Sequence, residues 1–126
     1  MNVLYNAADI YVTNSAEGFG LTPAEAGACG VPVVAMDYST MPEVVGPGGV
    51  LVPVDHLVDN EYDHSWAAVD EEAFADAVLR LADKPALRRE LGKRGAHHIA
   101  STFQWDREMA KLADLVRGSI SLEEAA

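Results

Sequence analysis

Two glutamates, Glu17 and Glu25, bracket the segment EGFGLTPAE with seven residues between them. A carboxylate repels phosphate but accepts hydrogen bonds from sugar hydroxyls, which come as neighbouring pairs. Between the glutamates lie Gly18 and Gly20, which let a ligand approach the backbone closely. Then Thr22-Pro23-Ala24-Glu25 predicts a helix start: Thr22 as cap, Pro23 at the first helical position, Glu25 closing a capping box. The first amides of such a helix lack partners and carry about half a positive charge, which suits an anion. Amides in the centre and a carboxylate on each side suit a diphosphate with a sugar at both ends, that is, a nucleotide sugar. The spacing is neither G-x-G-x-x-G nor a P-loop. The same residues also admit plainer roles: Glu25 as a capping partner alone, Glu17 as a surface carboxylate, the glycines as turn residues.

These residues need a scaffold, and the pattern around them supplies one. Residues 2–7 read as the end of a helix and 9–15 as a strand rich in β-branched and aromatic residues. The helix after Thr22 should stop at Gly30, with Pro32 beyond. Residues 33–36 form a wholly apolar strand, suited to a sheet covered on both faces. A single helical turn over 41–45, the glycine-rich GPGG at 46–49 and a third strand over 50–54 follow, then a polar loop over 55–68. Asp70 should cap a helix to about Asp83, Pro85 should open another to about Ser101, and a last one should run from Trp105 to about Arg117. In that last helix Trp105, Met109, Leu112 and Val116 form one apolar stripe, read first as core and alternatively as a partly exposed face. Strands alternating with helices imply parallel pairing and right-handed crossovers, an α/β architecture of about three strands. In such sheets ligands sit beyond the carboxyl ends of the strands, where residues 16–21 fall.

The chain has 126 residues, 49% of them hydrophobic, enough for a folded core without disulfides. Its lone cysteine, Cys29, is expected to be a small core residue, and its reduced state fits a cytoplasmic setting. No apolar run has the length of a membrane helix, and no basic residue precedes Asp9, so a secretory signal is not expected. Net charge is −11, which argues against nucleic acid. The charge is uneven: residues 1–83 hold 14 acidic residues and one basic, Arg80, for a net of −13, whereas 84–126 carry +2. The basic run Arg88, Arg89, Lys93, Arg94 reads as a helix face, and His97 and His98 as structural or solvated. The segment 55–64 contains Asp55, His56, Asp59, Glu61, Asp63 and His64. It lacks the glycine and terminal glutamate of an EF-hand, and reads as a solvated acidic loop with a metal-binding module as the alternative. A first strand with an open edge suggests a third possibility, assembly with another chain.

Residues 17–35, EGFGLTPAEAGACGVPVVA, resemble the E-x7-E segment of retaining GT-B glycosyltransferases of family 4. So do NAAD at 6–9, PEVV at 42–45, GGVLVPV at 48–54 and FQWD at 103–106. The resemblance implies that residues 1–117 are the second half of a C-terminal, Rossmann-like donor-binding domain, with 118–126 a frayed tail. It implies that Glu25 binds ribose hydroxyls and that Glu17 faces the donor sugar at the catalytic centre. It further implies that the backbone of Gly18, Phe19, Gly20 and Leu21 meets sugar and diphosphate, and that Thr22 adds an amide or hydroxyl. The implied donor is a UDP- or GDP-sugar, with no cofactor and no metal. Gly27 departs from the pattern, which usually has a larger apolar residue there, so thinner packing is expected around it. The acceptor domain and the cationic first half of the donor domain have no counterpart in these residues. The expectation is therefore a fragment or remnant, inactive alone, whose cations for a diphosphate come from upstream sequence, another chain or a metal.

Overall fold

The computed structural model describes residues 2–59 and 65–123. The elements run α1 (Asn2–Asn6), β1 (Tyr11–Val12), α2 (Leu21–Ala28), β2 (Val33–Met36), α3 (Met41–Val45) and a 3-10 turn (Gly46–Gly48). They continue with β3 (Gly49–Val52), β4 (Val54–Asp59), β5 (Ser65–Val69), α4 (Glu71–Asp83), α5 (Pro85–Thr102) and α6 (Trp105–Glu123). Strands β1, β2 and β3 form a parallel sheet in that order, with Tyr11 opposite Val33 and Val33 opposite Gly49. The chain is thus α/β, as its pattern predicts.

The central strand β2 is buried at every position, the reason its four residues are apolar without alternation. Because side chains alternate across a sheet, Val33 and Ala35 join Ala26, Val31, Met41 and Val45 beneath α2 and α3. Val34 and Val52 join Ala77, Leu81 and Leu91 beneath α4 and α5 on the other face. Helix α4 begins as expected: the Asp70 carboxylate accepts the Ala73 N–H at 2.8 Å, with Glu71 and Glu72 in the first turn. At its far end the Arg88 guanidinium, on α5, donates to the carbonyls of Leu81 and Ala82 at 2.7 and 2.6 Å. Helix α5 then climbs the height of the sheet. Its start shares a cleft with Asp9, Gly30 and Pro32, which precede the strands. Its end brings Phe103 against Phe19 in the loop beyond β1.

That path demands near-contact of backbones. A Cβ at Gly92 would stand 2.0 Å from the Gly30 carbonyl oxygen, and one at Gly48 would stand 2.4 Å from the Gly95 Cα. Glycine in a helix costs ~1 kcal/mol relative to alanine. Here that cost is offset by the close crossing of α5 over the end of α2 and the 3-10 turn.

Four expectations are revised. The segment read as a polar loop contains an antiparallel hairpin, β4 on β5, in which Val58 faces Trp66 and Leu57 faces Ala67. Its β-branched and aromatic residues outweigh the interspersed acids. Of the acidic cluster there, Glu61, Asp63 and His64 lie outside the described residues. Among the described residues no three metal-ligating side chains converge. Second, β1 spans only two residues, because Thr13 and Ser15 turn the chain away by bonding to each other, Oγ1 to Oγ at 3.0 Å. Third, α6 continues past Gly118 to Glu123. One glycine weakens a helix without stopping it. Its stripe is open rather than core: Trp105 is 73% exposed and Leu112 52%. Fourth, packing at Gly27 is not thin, since a Cβ there would already lie 3.3 Å from Ile99 Cγ1. Ile99 fills the space that a larger residue 27 would take.

Gly92→Ala should destabilise the chain by ~1–3 kcal/mol or more through overpacking, lowering the melting temperature by about 3–5 °C per kcal/mol. Gly118→Ala, with nothing within 4 Å of the added Cβ, should leave it unchanged or raise it. Thermal melts of the two variants followed by circular dichroism check this.

Candidate functional site

The loop from β1 to α2 crosses the carboxyl edge of the sheet, and its conformation is fixed at three points. Two hydroxyls, Ser39 Oγ and Thr40 Oγ1, both donate to the Glu17 carbonyl at 3.0 Å. Ser39 holds φ +56°, an uncommon region for a residue with a side chain, in the turn that makes this bond. The Phe19 ring meets Phe103 edge-to-face, centroids 5.4 Å apart. Gly20 takes φ +88°, and a Cβ there would stand 2.8 Å from Met41 Cε. Position 20 is therefore glycine for both backbone and steric reasons.

The capping box predicted at Thr22 does not form. Helix α2 starts two residues earlier, at Leu21, with Gly20 at its N-cap and no side-chain cap. The left-handed Gly20 already turns the chain into the helix, and its carbonyl accepts the Ala24 N–H at 3.1 Å. Pro23 has no N–H, so the unpaired amides of this helix start are those of Leu21 and Thr22. Thr22 and Glu25, released from capping, take other partners. Thr22 Oγ1 accepts from the Tyr11 hydroxyl at 2.8 Å, leaving its own proton free to donate. Glu25 Oε2 accepts from the Tyr5 hydroxyl at 2.9 Å. The two tyrosine rings pack at 6.1 Å. A pair of phenols thus holds Thr22 and Glu25 in place on the first turn and a half of α2.

Glu17 belongs to a different group of bonds. Its Oε1 accepts from Ser15 Oγ at 3.2 Å, and Ser15 in turn meets Thr13. Glu17 lies in the loop beyond β1 and Glu25 on the helix that follows, and among the described residues the two carboxylates share no hydrogen-bond partner. Gly18 meets open space, with nothing within 4 Å of an added Cβ, so no close approach of protein to protein explains it. Phe19 and Leu21 are exposed, and Leu21 is 66% open. Cys29, expected in the core, is only half-buried, with Asn6 Nδ2 donating to its sulfur at 3.7 Å. A cleft of about 480 Å³ opens beside the end of β1, lined by Asn14, Ala67, Ala68, Val69, Glu71, Phe74 and Ala75. The supports Ser39, Thr40, Tyr5, Tyr11 and Phe103 are the part that sequence spacing misses. Only FQWD at 103–106 carried a signal.

Two of the cations lie elsewhere. Arg88 and Arg89 line the cleft at the amino edge with Asp9, opposite the Glu17 loop. Among the described residues no helix is long and apolar enough to cross a membrane.

A parallel sheet whose carboxyl edge carries a fixed polar loop and helix amides is the ligand-binding arrangement of an open doubly wound domain. The model of the family described as glycosyl transferases group 1 matches residues 1–84, and the chain belongs to that family. It is 37% identical over 114 residues to D-inositol 3-phosphate glycosyltransferase of Streptomyces bingchenggensis, covering 88% of this chain and 22% of that protein. It is 36% identical over 121 residues to the same-named protein of Saccharomonospora viridis, covering 94% and 25%. Among solved structures it superimposes on sucrose-phosphate synthase from Thermosynechococcus elongatus, a GT-B glycosyltransferase, with a TM-score of 0.76 and 32% identity. That match covers 95% of this chain and 27% of the other. The chain spans about a quarter of the length of the curated relatives it matches.

Burial first, and then the bond to the Glu25 carboxylate, push the Tyr5 hydroxyl from 10.0 up to about 12. A folded value above the unfolded one means stability that is fully present below pH 10 and is lost as pH rises through about 12. Alkaline absorbance titration should show a tyrosine step near pH 12 that vanishes in Tyr5→Phe and moves toward pH 10 in Glu25→Gln. The fall in melting temperature between pH 10 and 12 should shrink in both variants.

Proposed function

We propose that this chain contributes the E-x7-E part of a nucleotide-diphosphate-sugar donor site for retaining sugar transfer. The observation that carries the reading is the fixed loop: Glu17 to Gly20 is held at the carboxyl edge and delivers the chain into the unpaired amides of Leu21 and Thr22, with Glu25 pinned beside them by Tyr5. Glu25 Oε1, left over from the tyrosine bond, takes the ribose hydroxyls. Glu17 faces the donor sugar. The backbone of Gly18, Phe19, Gly20 and Leu21 lies along sugar and diphosphate, and the Thr22 hydroxyl donates to phosphate. In the transfer the bond from the anomeric carbon to the diphosphate oxygen breaks, and the acceptor oxygen bonds on the same face. The diphosphate leaves with the electron pair, and the acceptor proton goes to the leaving group or solvent. Preorganised amides at the departing oxygens stabilise that charge.

Helix amides supply only about 0.3–1 kcal/mol toward an anion. Around them stand 79 residues without a lysine or arginine. The 126-residue chain alone is therefore inactive and holds the donor weakly, its cations coming from the further length that its relatives have. Calorimetric titration of UDP-glucose and GDP-mannose should show no micromolar binding, and micromolar binding would contradict this part. The donor reading itself is tested in a hybrid in which these residues replace the matching quarter of the Streptomyces relative. Glu25→Gln should raise the donor KM about tenfold or more, the worth of a hydrogen bond to a charged group. An unchanged KM would sink it.

One observation favours a second reading. Among the described residues β1 pairs on one side only, and Val12 on it is 47% exposed. An open edge invites a strand from another chain, so the protein would be an assembly module. Sedimentation is the check: a concentration-dependent dimer supports it, and a clean monomer at high concentration removes it.

A further inference from the structure

Both supports behind the Glu17 loop lead to one side chain, His98 on α5. The first support is the pair of hydroxyls on the Glu17 carbonyl, Ser39 and Thr40, which stand at the entry to α3. The second is Phe103 against Phe19. The His98 ring meets Phe103 edge-on, centroids 5.9 Å apart at 90°. Its Nε2 lies 2.7 Å from the carbonyl of Glu43 on α3. A carbonyl only accepts, so Nε2 carries the proton. In the neutral ring, Nδ1 then accepts from Thr102 Oγ1 at 3.3 Å. The imidazole rests on Gly46, where a Cβ would come within 2.6 Å of Nε2. Any side chain at position 46 would displace the ring from both contacts.

We propose that His98 is a positioning residue for the site loop, joining α3 to Phe103 so that the carbonyl clamp and the aromatic clamp hold the Glu17–Phe19 backbone in one register. The backbone between Asn14 and Gly20 has no sheet ladder of its own, so its position is set by these side-chain supports. Both are weak singly. Coupled through a ring that touches Phe103 directly and the hydroxyl pair only by way of the Glu43 carbonyl on α3, they cannot move independently, because displacing α3 pulls His98 off Phe103 and thereby frees Phe19. The consequence for donor binding rests on the donor-site reading, whereas the coupling of His98 to the loop does not.

The coupling is tested on the 126-residue chain by ¹⁵N relaxation of amides 16–20 together with the ring-proton shifts of Phe19. In His98→Ala the order parameters of residues 16–20 should fall from about 0.85 to below about 0.6. The Phe19 ring protons should move toward unstructured-peptide positions, although Phe103 is intact. Residues 65–69 of the hairpin and α4 should not change. His98→Gln, which keeps a donor for the Glu43 carbonyl, should lose less, and Phe103→Leu should reproduce the local loss even if His98→Ala folds poorly. Unchanged loop order in both folded variants, or a loss spread equally over hairpin and α4, would overturn the proposal.

In the hybrid enzyme, His98→Ala should raise the donor KM about tenfold with a smaller change in kcat. If Glu25→Gln raises that KM and His98→Ala does not, the positioning role falls. If Glu25→Gln leaves KM unchanged while the loop still loosens in His98→Ala, the donor reading falls and the coupling stands.

Discussion

The arrangement depends on one backbone carbonyl. Beyond Thr13 the chain abandons the sheet, and its polar groups lose their ladder partners. The Glu17 carbonyl regains two, from Ser39 and Thr40. That bond joins the loop after β1 to the turn after β2, so the two loops at the carboxyl edge become one surface. Everything at the edge is placed relative to it: Gly20 folds down onto Met41, α2 begins at Leu21, and Glu25 arrives beside Tyr5. The uncommon backbone of Ser39 is the local cost of the bond.

A second constraint acts at a distance. Helix α5 crosses α2 and the 3-10 turn at backbone contact, through Gly92 on Gly30 and Gly95 on Gly48. Only that closeness lets one straight helix reach from the amino edge, where Arg88 closes α4, to the loop edge, where Phe103 and His98 back the site. The glycines of α5 are therefore part of how the loop is positioned, although they lie far from it along the chain.

Electrostatics divides the molecule the same way. The acidic first two-thirds contains the loop, and Arg88 and Arg89 of α5 line the cleft at the opposite edge. A diphosphate at the loop would meet amide dipoles and carboxylates, with Arg88 and Arg89 at the other edge of the sheet. The chain that carries this uneven charge spans about a quarter of the length of its relatives.

The α/β class, the buried central strand, the Asp70 cap and the helix stop at Gly30 were legible in the residues, because each rests on local chemistry: apolar runs, capping groups, a permissive glycine. Membership of the glycosyltransferase family was legible for the same reason, in contiguous patterns. The hairpin was not, since cross-strand pairs such as Val58 with Trp66 outweigh local polarity only once the strands meet. Nor was the fate of Glu25, whose spacing from Thr22 fits a capping box until Gly20 turns the helix start by itself and Tyr5 claims the carboxylate. Sequence alone determined which residues stand at the carboxyl edge. Tertiary structure decided what holds them, because Tyr5, Ser39, His98 and Phe103 reach the loop from separate elements through contacts that no spacing along the chain encodes.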